Sequence, residues 1–269
     1  MLKLAVFGHP VSGSKSPAIH ARFAAATGLE VDYRAIDCPA GGLREALVAF
    51  AEAGGRGCNL TVPLKAEGLA LAVSASDAAR DADACNTLVR RDGSWQADNT
   101  DGAGLMADLD RLGIGIAGRR VLVVGAGGAV AGVLGPLLAR APARVTIANR
   151  SADKAESLAE RFAGRGVAIE GIGLGSLADA GGHDIVVQGT SLGHRGEALE
   201  LPGAVVAPDA VAYDLNYGPA FEPFRAWCRA HGISAQDGRG MLIEQAALAF
   251  EIFTGVRPDT GPLHELESL

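Results

Sequence analysis

Residues Val121–Gly132 read VLVVGAGGAVAG, an apolar run followed at once by a glycine-rich turn and a second apolar stretch. Glycines at such a turn let the chain bend tightly. Backbone N–H groups at the start of the next helix can then approach a pyrophosphate, where the helix dipole favours negative charge. The stretch predicts a strand, a loop and a helix that bind a dinucleotide. The alternative is an ordinary tight turn between a strand and a helix.

The position that reads the ribose of a dinucleotide lies about 20 residues further on, at the end of the next strand, where NAD-binding units carry Asp or Glu. This chain has Asn149 and Arg150 there, with Ser151 and Lys154 just beyond. A carboxylate would repel a 2′-phosphate, whereas a guanidinium can bind one with two hydrogen bonds. The sequence therefore favours NADP over NAD. The alternative is that Arg150 and Lys154 are solvated charges near a helix start.

Short apolar runs alternate with alanine-rich segments of helical period along the whole chain, which predicts an α/β fold with parallel sheets. Strands are predicted at Leu2–Phe7, Asp32–Ile36, Cys58–Val62, Arg120–Val124, Arg144–Ala148, Val167–Gly171, Asp184–Gln188, Val211–Asp214 and Ile233–Ala235. Helices are predicted at Ser16–Thr27, Gly42–Ala53, Pro63–Val73, Ala129–Arg140, Ser151–Ala163 and residues 240–255. A connecting helix at residues 102–113 marks the expected boundary between two domains.

A hairpin is predicted within NTLVRRDGSWQADNTD, residues 86–101, because Asp92-Gly93 separates two alternating runs. With those two residues as the loop, Arg91 pairs with Ser94, and Asn86 comes to lie opposite Asn99. Asp101 then follows two residues beyond the open end of the hairpin. Asn86 and Asp101, distant in sequence, are expected to be neighbours in space.

The composition limits the class of protein. The chain has 269 residues, 48% of them hydrophobic, enough for two modest domains. Its net charge of −7 and the lack of a basic tract argue against nucleic-acid and anionic-membrane partners. With no membrane-spanning run and no cleavable leader in the sequence, we expect a soluble, cytoplasmic protein, either monomer or homodimer. Histidine spacing argues against zinc. Four cysteines, expected to be reduced and mostly buried, are Cys38, Cys58, Cys85 and Cys228.

Nine motifs in fixed order resemble the shikimate dehydrogenase family along the whole chain. They are GHPVSGSKSP (8–17), GCNLTVPLK (57–65), ACNTL (84–88), DNTDGAG (98–104), GAGGA (125–129), NRSADK (149–154), GTSLG (189–193), YDLNYGP (213–219) and DGRGMLIEQA (237–246). The family reduces 3-dehydroshikimate to shikimate with NADPH in aromatic amino-acid biosynthesis. The resemblance implies a substrate domain, residues 1–103 completed by 239–269, and a Rossmann NADP-binding domain, residues 104–238, around a cleft. It also implies that the C-terminal helix returns to the substrate domain.

Residue roles follow from the same resemblance. The implied catalytic residues are Lys65 and Asp101. The implied substrate-binding residues are Ser14, Ser16, Thr61, Lys65, Asn86, Asp101, Tyr217 and Gln245. The implied cofactor-binding residues are Asp77, Gly125, Ala126, Gly127, Gly128, Ala129, Asn149, Arg150, Ser151, Lys154, Thr190, Leu215 and Gly238, and no metal is implied.

Several of these roles have simpler alternatives. Ser16 suits the cap of a helix whose first position holds Pro17, which would explain Ser16 but not Ser14. Lys65 in a first helical turn opposes the helix dipole, so either a partner holds it there or it points to solvent. Asp101 also suits a helix N-cap. Gln245, on an apolar helix face, needs a hydrogen bond, either to substrate or to backbone.

Four departures from the family pattern bear on affinity more than on reaction type. Gly13 replaces a common histidine, Ala131 replaces a common basic residue, and Gln188 and His194 stand in a loop that usually reads NATSLGM. Two other functions stay open. One is a quinate/shikimate dehydrogenase or a shikimate-like paralogue that uses NAD or another cyclic acid. The other is a non-catalytic NADP-binding regulatory protein.

Overall fold

The chain forms two compact units in the structure, a computed structural model that describes residues 1–266. Unit 1 comprises Met1–Gly104 and Leu242–Leu269, and unit 2 comprises Leu105–Met241. The chain therefore passes from unit 1 to unit 2 just after Gly104 and returns just after Met241. The expected domain boundaries lay at 103/104 and 238/239.

Unit 1 is built on a six-stranded mixed sheet in the order β2-β1-β3-β5-β6-β4. Its strands are β1 (Leu2–Gly8), β2 (Val31–Asp37), β3 (Gly55–Leu60), β4 (Ser74–Ala75), β5 (Thr87–Arg91) and β6 (Ser94–Asp98). The first three are parallel, and β5 and β6 form an antiparallel hairpin beside them. The helices that precede or span the passage of the chain into unit 2 are α1 (Ser16–Thr27), α2 (Leu43–Glu52), α3 (Lys65–Leu71), α4 (Asp77–Ala82) and α5 (Asp101–Arg111).

Unit 2 contains six parallel strands in the order β12-β11-β10-β7-β8-β9. They are β7 (Arg120–Val124), β8 (Arg144–Asn149), β9 (Ala168–Gly173), β10 (His183–Gln188), β11 (Val206–Asp214) and β12 (Ser234–Gln236). Its helices are α6 (Gly128–Ala139), α7 (Ala152–Arg161) and α8 (Glu222–Ala230). After β9 the chain crosses back to lay β10 beside β7, so the strand order reverses there, which is where such sheets bind ligands.

The last two helices are α9 (Arg239–Thr254) and α10 (Gly261–His264). Within unit 1, α9 packs its Ile243, Ala246 and Phe250 against Ile19 and Phe23 of α1. The helix ends at Thr254 and is followed by Gly255, whose φ of 77° is the left-handed conformation that suits a residue after a helix. The predicted fold class is confirmed: two α/β parts, a Rossmann-type parallel sheet, and a C-terminal helix that returns to the N-terminal part.

Some predicted elements were wrong in detail. Ser16 is the first residue of α1, Lys15 holds the N-cap position, and no side chain caps the helix. Instead the Ser14 hydroxyl accepts the Ser16 N–H at 3.3 Å. Helix α3 begins at Lys65 rather than Pro63, because residues Thr61 to Leu64 form a turn closed by a 2.9 Å backbone hydrogen bond. Strand β4 and helices α4, α8 and α10 have no counterpart among the predicted elements.

Burial and covalent state of the cysteines agree with expectation, since all four are free thiols and all four are buried. In residues 1–266, no helix combines the length and apolar character required to cross a bilayer. Within the same residues, no group of three or more His, Cys, Asp and Glu side chains could hold a metal ion.

Close packing of β9 against α7 depends on Gly171. A Cβ there would lie 2.2 Å from the carbonyl carbon of Ala155 and 2.3 Å from its oxygen. Because helix backbone cannot yield as a flexible side chain would, Gly171→Ala is expected to lower the free energy of unfolding by about 3 kcal/mol. Gly175→Ala is the matched control, since its Cβ would meet nothing within 4 Å. Equal denaturant midpoints for the two variants would contradict this account of the packing.

Candidate active site and dinucleotide cleft

The central contact of unit 1 joins Lys65 and Asp101. The Lys65 ammonium donates to Asp101 Oδ2 at 2.6 Å, and the two side chains are 26% and 11% exposed. Lys65 opens α3, where the helix dipole disfavours a cation. The carboxylate at the start of α5 offsets that cost. The alternative in which Lys65 points to solvent without a partner is therefore wrong.

Asn86 holds the other oxygen of the same carboxylate. Its Nδ2 donates to Asp101 Oδ1 at 2.8 Å, as the hairpin register predicted. That register is confirmed, with Arg91 opposite Ser94 and Thr87 opposite Asp98. Asp101 is not the side-chain cap of its helix: its oxygens accept from Lys65 and Asn86, while Asn99 Oδ1 accepts the Asp101 N–H at 3.0 Å.

Gln245 of α9 joins this cluster from the C-terminal segment. Its Oε1 lies 3.2 Å from Asn86 Nδ2, and its Nε2 donates to Leu242 O at 2.8 Å. A Cβ on Gly104 would lie 2.6 Å from the Gln245 Cβ, so α5 and α9 touch at this point. The amide group is satisfied partly by backbone, as one alternative required, and partly by Asn86. Because Asn86 Nδ2 carries two hydrogens and also faces Thr100 Oγ1, its donors are fully used.

Two residues missed from the sequence extend this cluster toward β2. The Tyr33 hydroxyl donates to Asn59 Oδ1 at 2.8 Å. Asn59 Nδ2 then donates to Asn86 O at 3.1 Å. The fully buried His20 ring stacks on Tyr33 at 4.0 Å, and burial lowers the pKa of His20 to about 3, so this ring is neutral. No spacing rule connects Tyr33, on an edge strand, with Asn59.

The remaining predicted substrate residues lie in different places. Thr61 follows β3 and donates its N–H to Phe7 O at 2.9 Å, which fixes the turn before Lys65. Tyr217 belongs to unit 2, is 37% exposed, and precedes the 3-10 turn Gly218–Phe221. Seven of the eight predicted substrate-binding residues are thus in unit 1, and Tyr217 is the exception.

Unit 2 carries a cleft of about 480 Å³ at the reversal point of its sheet. The glycine loop, Gly125 to Ala129, forms one wall, and Gly189 and Thr190 after β10 lie across from it. Gly125 has a φ of 116°, and a Cβ there would lie 3.1 Å from Gly189 O, so both loops depend on their glycines.

The start of α6 fits a pyrophosphate. Gly127 is the N-cap residue, and no side chain caps the first turn, which leaves backbone N–H groups for an anion. A Cβ on Gly127 or Gly128 would meet no atom within 4 Å, so the space in front of the helix is open. The predicted strand, loop and helix are therefore present as β7, the glycine loop and α6.

The far end of the cleft is lined by Asn149, Arg150, Ser151 and Lys154. Strand β8 ends at Asn149, and none of the residues that line the cleft is acidic. The arrangement suits a phosphate on the adenosine ribose better than a free 2′-hydroxyl.

Three predicted cofactor residues lie outside the cleft lining. Leu215 and Gly238 touch each other, since a Cβ on Gly238 would lie 2.4 Å from Leu215 O. Asn216 fixes this loop by donating twice to Asp214, whose pKa burial raises to about 7. Asp77 belongs to unit 1, where it opens α4 and pairs with Arg80 at 2.6 Å.

Among the departures from the family pattern, Gln188 is 1% exposed and its Oε1 accepts the Thr190 N–H. It therefore shapes the loop beside the cleft. His194 is exposed, and Ala131 is buried within α6.

A cleft of dinucleotide-binding type in one unit and a polar cluster around Lys65 and Asp101 in the other are typical of one class, the two-unit α/β oxidoreductases. Comparison with known proteins narrows the class. Residues 6–88 match the shikimate dehydrogenase substrate binding domain, 109–194 the shikimate / quinate 5-dehydrogenase domain, and 238–265 the shikimate 5'-dehydrogenase C-terminal domain. The shikimate dehydrogenase (NADP(+)) of Methylibium petroleiphilum is 47% identical over 96% of this chain and 91% of its own. The chain belongs to the shikimate dehydrogenase family.

Solved structures agree with this membership. The Ael1 enzyme from Pseudomonas putida is 37% identical and matches with a TM-score of 0.93 over 100% of this chain and 99% of its own. The shikimate 5-dehydrogenase from Thermus thermophilus, solved in complex with NADP(H) and shikimate, is 36% identical. It matches with a TM-score of 0.87 over 98% of both chains.

Proposed function

We propose that this protein catalyses the reversible, NADPH-dependent reduction of 3-dehydroshikimate to shikimate. The observation that carries the proposal is the Lys65–Asp101 contact, with Asn86 and Gln245 packed around it, in a member of this family. A regulatory protein without catalysis would not need a lysine held at 2.6 Å by a carboxylate that is itself oriented by a buried amide.

Substrate binding is assigned to unit 1 and NADP binding to unit 2. The hydroxyls of Ser14 and Ser16 lie beside the open N-terminus of α1, a position suited to the substrate carboxylate. Asp101 and Gln245 supply acceptors and a donor suited to ring hydroxyls, and Asn86 is assigned to the same site, where it orients Asp101. Thr61, also in unit 1, is assigned to the same substrate. In unit 2, the open start of α6 suits the pyrophosphate, and Arg150 with Lys154 suits the 2′-phosphate.

Proton transfer is assigned to Lys65. Bound NADPH supplies the hydride. As the ketone carbon is reduced, its oxygen gains negative charge, which the Lys65 ammonium stabilises before giving it a proton. One ammonium hydrogen is directed to Asp101, which leaves two for the reacting oxygen. In the reverse direction Lys65, as the free amine, accepts the hydroxyl proton. Asp101 orients Lys65 and is available to a substrate hydroxyl.

A broader specificity is the second candidate, favoured by the match of residues 109–194 to the shikimate / quinate 5-dehydrogenase domain. The deciding experiment measures kcat/KM for shikimate and quinate, each with NADP and NAD, by the absorbance of the reduced cofactor. The proposal predicts that shikimate with NADP gives the highest value by at least about tenfold, equivalent to 1.4 kcal/mol. Higher values for quinate or for NAD would replace the proposal with this second candidate, and inactivity with all four pairs would reject both.

We also propose a cytoplasmic location. Four free thiols are typical of proteins in a reducing compartment.

A further inference from the structure

The cleft of unit 2 is lined by a third cation, Arg195, besides Arg150 and Lys154 of the segment after β8. Its lining contains Arg150, Lys154 and Arg195, whereas α6 contains no charged residue at all. The positive charges that could bind the phosphates of a dinucleotide therefore come from residues outside α6. Arg195 ends the 3-10 turn Leu192–Arg195, which follows the loop after β10.

The backbone around Arg195 is well fixed. Gly196 adopts a φ of 69°, and the N–H of Glu197 donates to Leu192 O at 3.1 Å. A Cβ on Gly193 would lie 1.8 Å from Ala220 O, so the turn packs directly on a neighbouring one. Arg195 thus projects from a packed turn rather than from an open loop.

A carboxylate already lies against this guanidinium. Arg195 Nε and Nη2 donate to the two oxygens of Glu197 at 2.8 and 3.1 Å. The pKa of Glu197 is lowered, first by this hydrogen bond and also by the charges of Arg195 and Arg150. The Glu197 carboxylate is therefore an anion in the combined field of two arginines, and it resembles a phosphate in charge and in fork-like hydrogen bonding.

We propose that Arg195 is a second arginine for the 2′-phosphate of NADP, acting together with Arg150, and that Glu197 competes with that phosphate for its guanidinium. The inference rests on the proposed function, because it requires that the cleft binds NADP. It assigns cofactor selectivity to a residue pair, Arg195 and Glu197, outside the predicted set. Because the pair is half exposed, its own stability contribution is small, and a doubly charged phosphate can displace it.

The test measures binding without catalysis, by calorimetry with 2′,5′-ADP and with ADP, which lacks the 2′-phosphate. Arg195→Gln is expected to weaken 2′,5′-ADP about tenfold and ADP less than about twofold, as loss of one charge-assisted contact requires. Glu197→Gln is expected to tighten 2′,5′-ADP about threefold, since the competing carboxylate is removed. Arg195→Lys should weaken 2′,5′-ADP less than Arg195→Gln does, because lysine keeps the positive charge but lacks the paired N–H donors of the guanidinium.

The pair Arg225 and Glu222 is the matched control. Arg225 donates from Nε and Nη2 to Glu222 with comparable exposure, and neither residue lines the cleft. Arg225→Gln and Glu222→Gln should change neither affinity. Equal weakening of both nucleotides by Arg195→Gln, or no weakening, would overturn the inference. Equal binding of both nucleotides by the unsubstituted protein would reject the NADP assignment itself, and the inference with it.

Discussion

Replacing Lys65 by alanine is expected to lower kcat by about a thousandfold, the range in which a general acid contributes, with little change in KM. The side chain acts on charge that develops on the reacting oxygen, not on the ground-state substrate, so its loss affects kcat and kcat/KM alike. Steady-state kinetics in both directions measure the effect. The contact of Lys65 with Asp101 at 2.6 Å is the structural basis for this expectation.

Two further variants separate proton donation from simple charge. Lys65→Arg keeps a cation but cannot give up its proton at neutral pH, and is expected to stay slow. Lys3→Ala, at an exposed lysine of unit 1 that donates to Ala53 O, is the control and should retain normal kcat. A Lys65→Ala variant with nearly normal kcat would remove Lys65 from the chemistry.

Replacing Arg150 by aspartate is expected to weaken NADPH by about a hundredfold while NADH binding changes by less than about threefold. The substitution removes a charge-assisted contact and places a carboxylate against the 2′-phosphate. Arg150 lines the cleft just after β8. Dissociation constants for both reduced cofactors, read from nicotinamide fluorescence, measure the effect.

Arg229→Asp makes the same change of net charge on an exposed residue of α8, outside the cleft lining. It controls for long-range electrostatics and should leave the NADPH-to-NADH ratio unchanged. Equal losses for both cofactors in Arg150→Asp would refute the assignment of Arg150 to the 2′-phosphate.

Local sequence signals were most informative where backbone geometry leaves few choices. The Asp92-Gly93 loop fixed the register of β5 and β6, and with it the contact of Asn86 and Asp101. The glycine loop predicted a strand, a turn and a helix start, which the structure has as β7, Gly125 to Gly127 and α6. In both loops the residue types are explained by the backbone conformation of a short turn. Each prediction therefore needs no information from distant parts of the chain.

The other features of the site depend on tertiary contacts, which produce no recognisable pattern in the sequence. Tyr33 and Asn59 meet across two strands that are both neighbours of β1, and nothing in either segment indicates the other. Serine is a residue type that favours the N-cap position, but Ser16 is already the first residue of α1. Lys15, whose backbone angles are helical, holds the N-cap position instead. Arg195 reaches the cleft only because its turn packs against residues 218–221.

The most direct test of the central claim is a double-mutant cycle on kcat for Lys65→Ala and Asp101→Asn. If the ammonium and the carboxylate act as one unit, the double variant should be about as slow as Lys65→Ala alone, since such units are strongly non-additive. If the two losses multiply instead, each side chain contributes independently, and the account of Asp101 as the residue that orients Lys65 is contradicted.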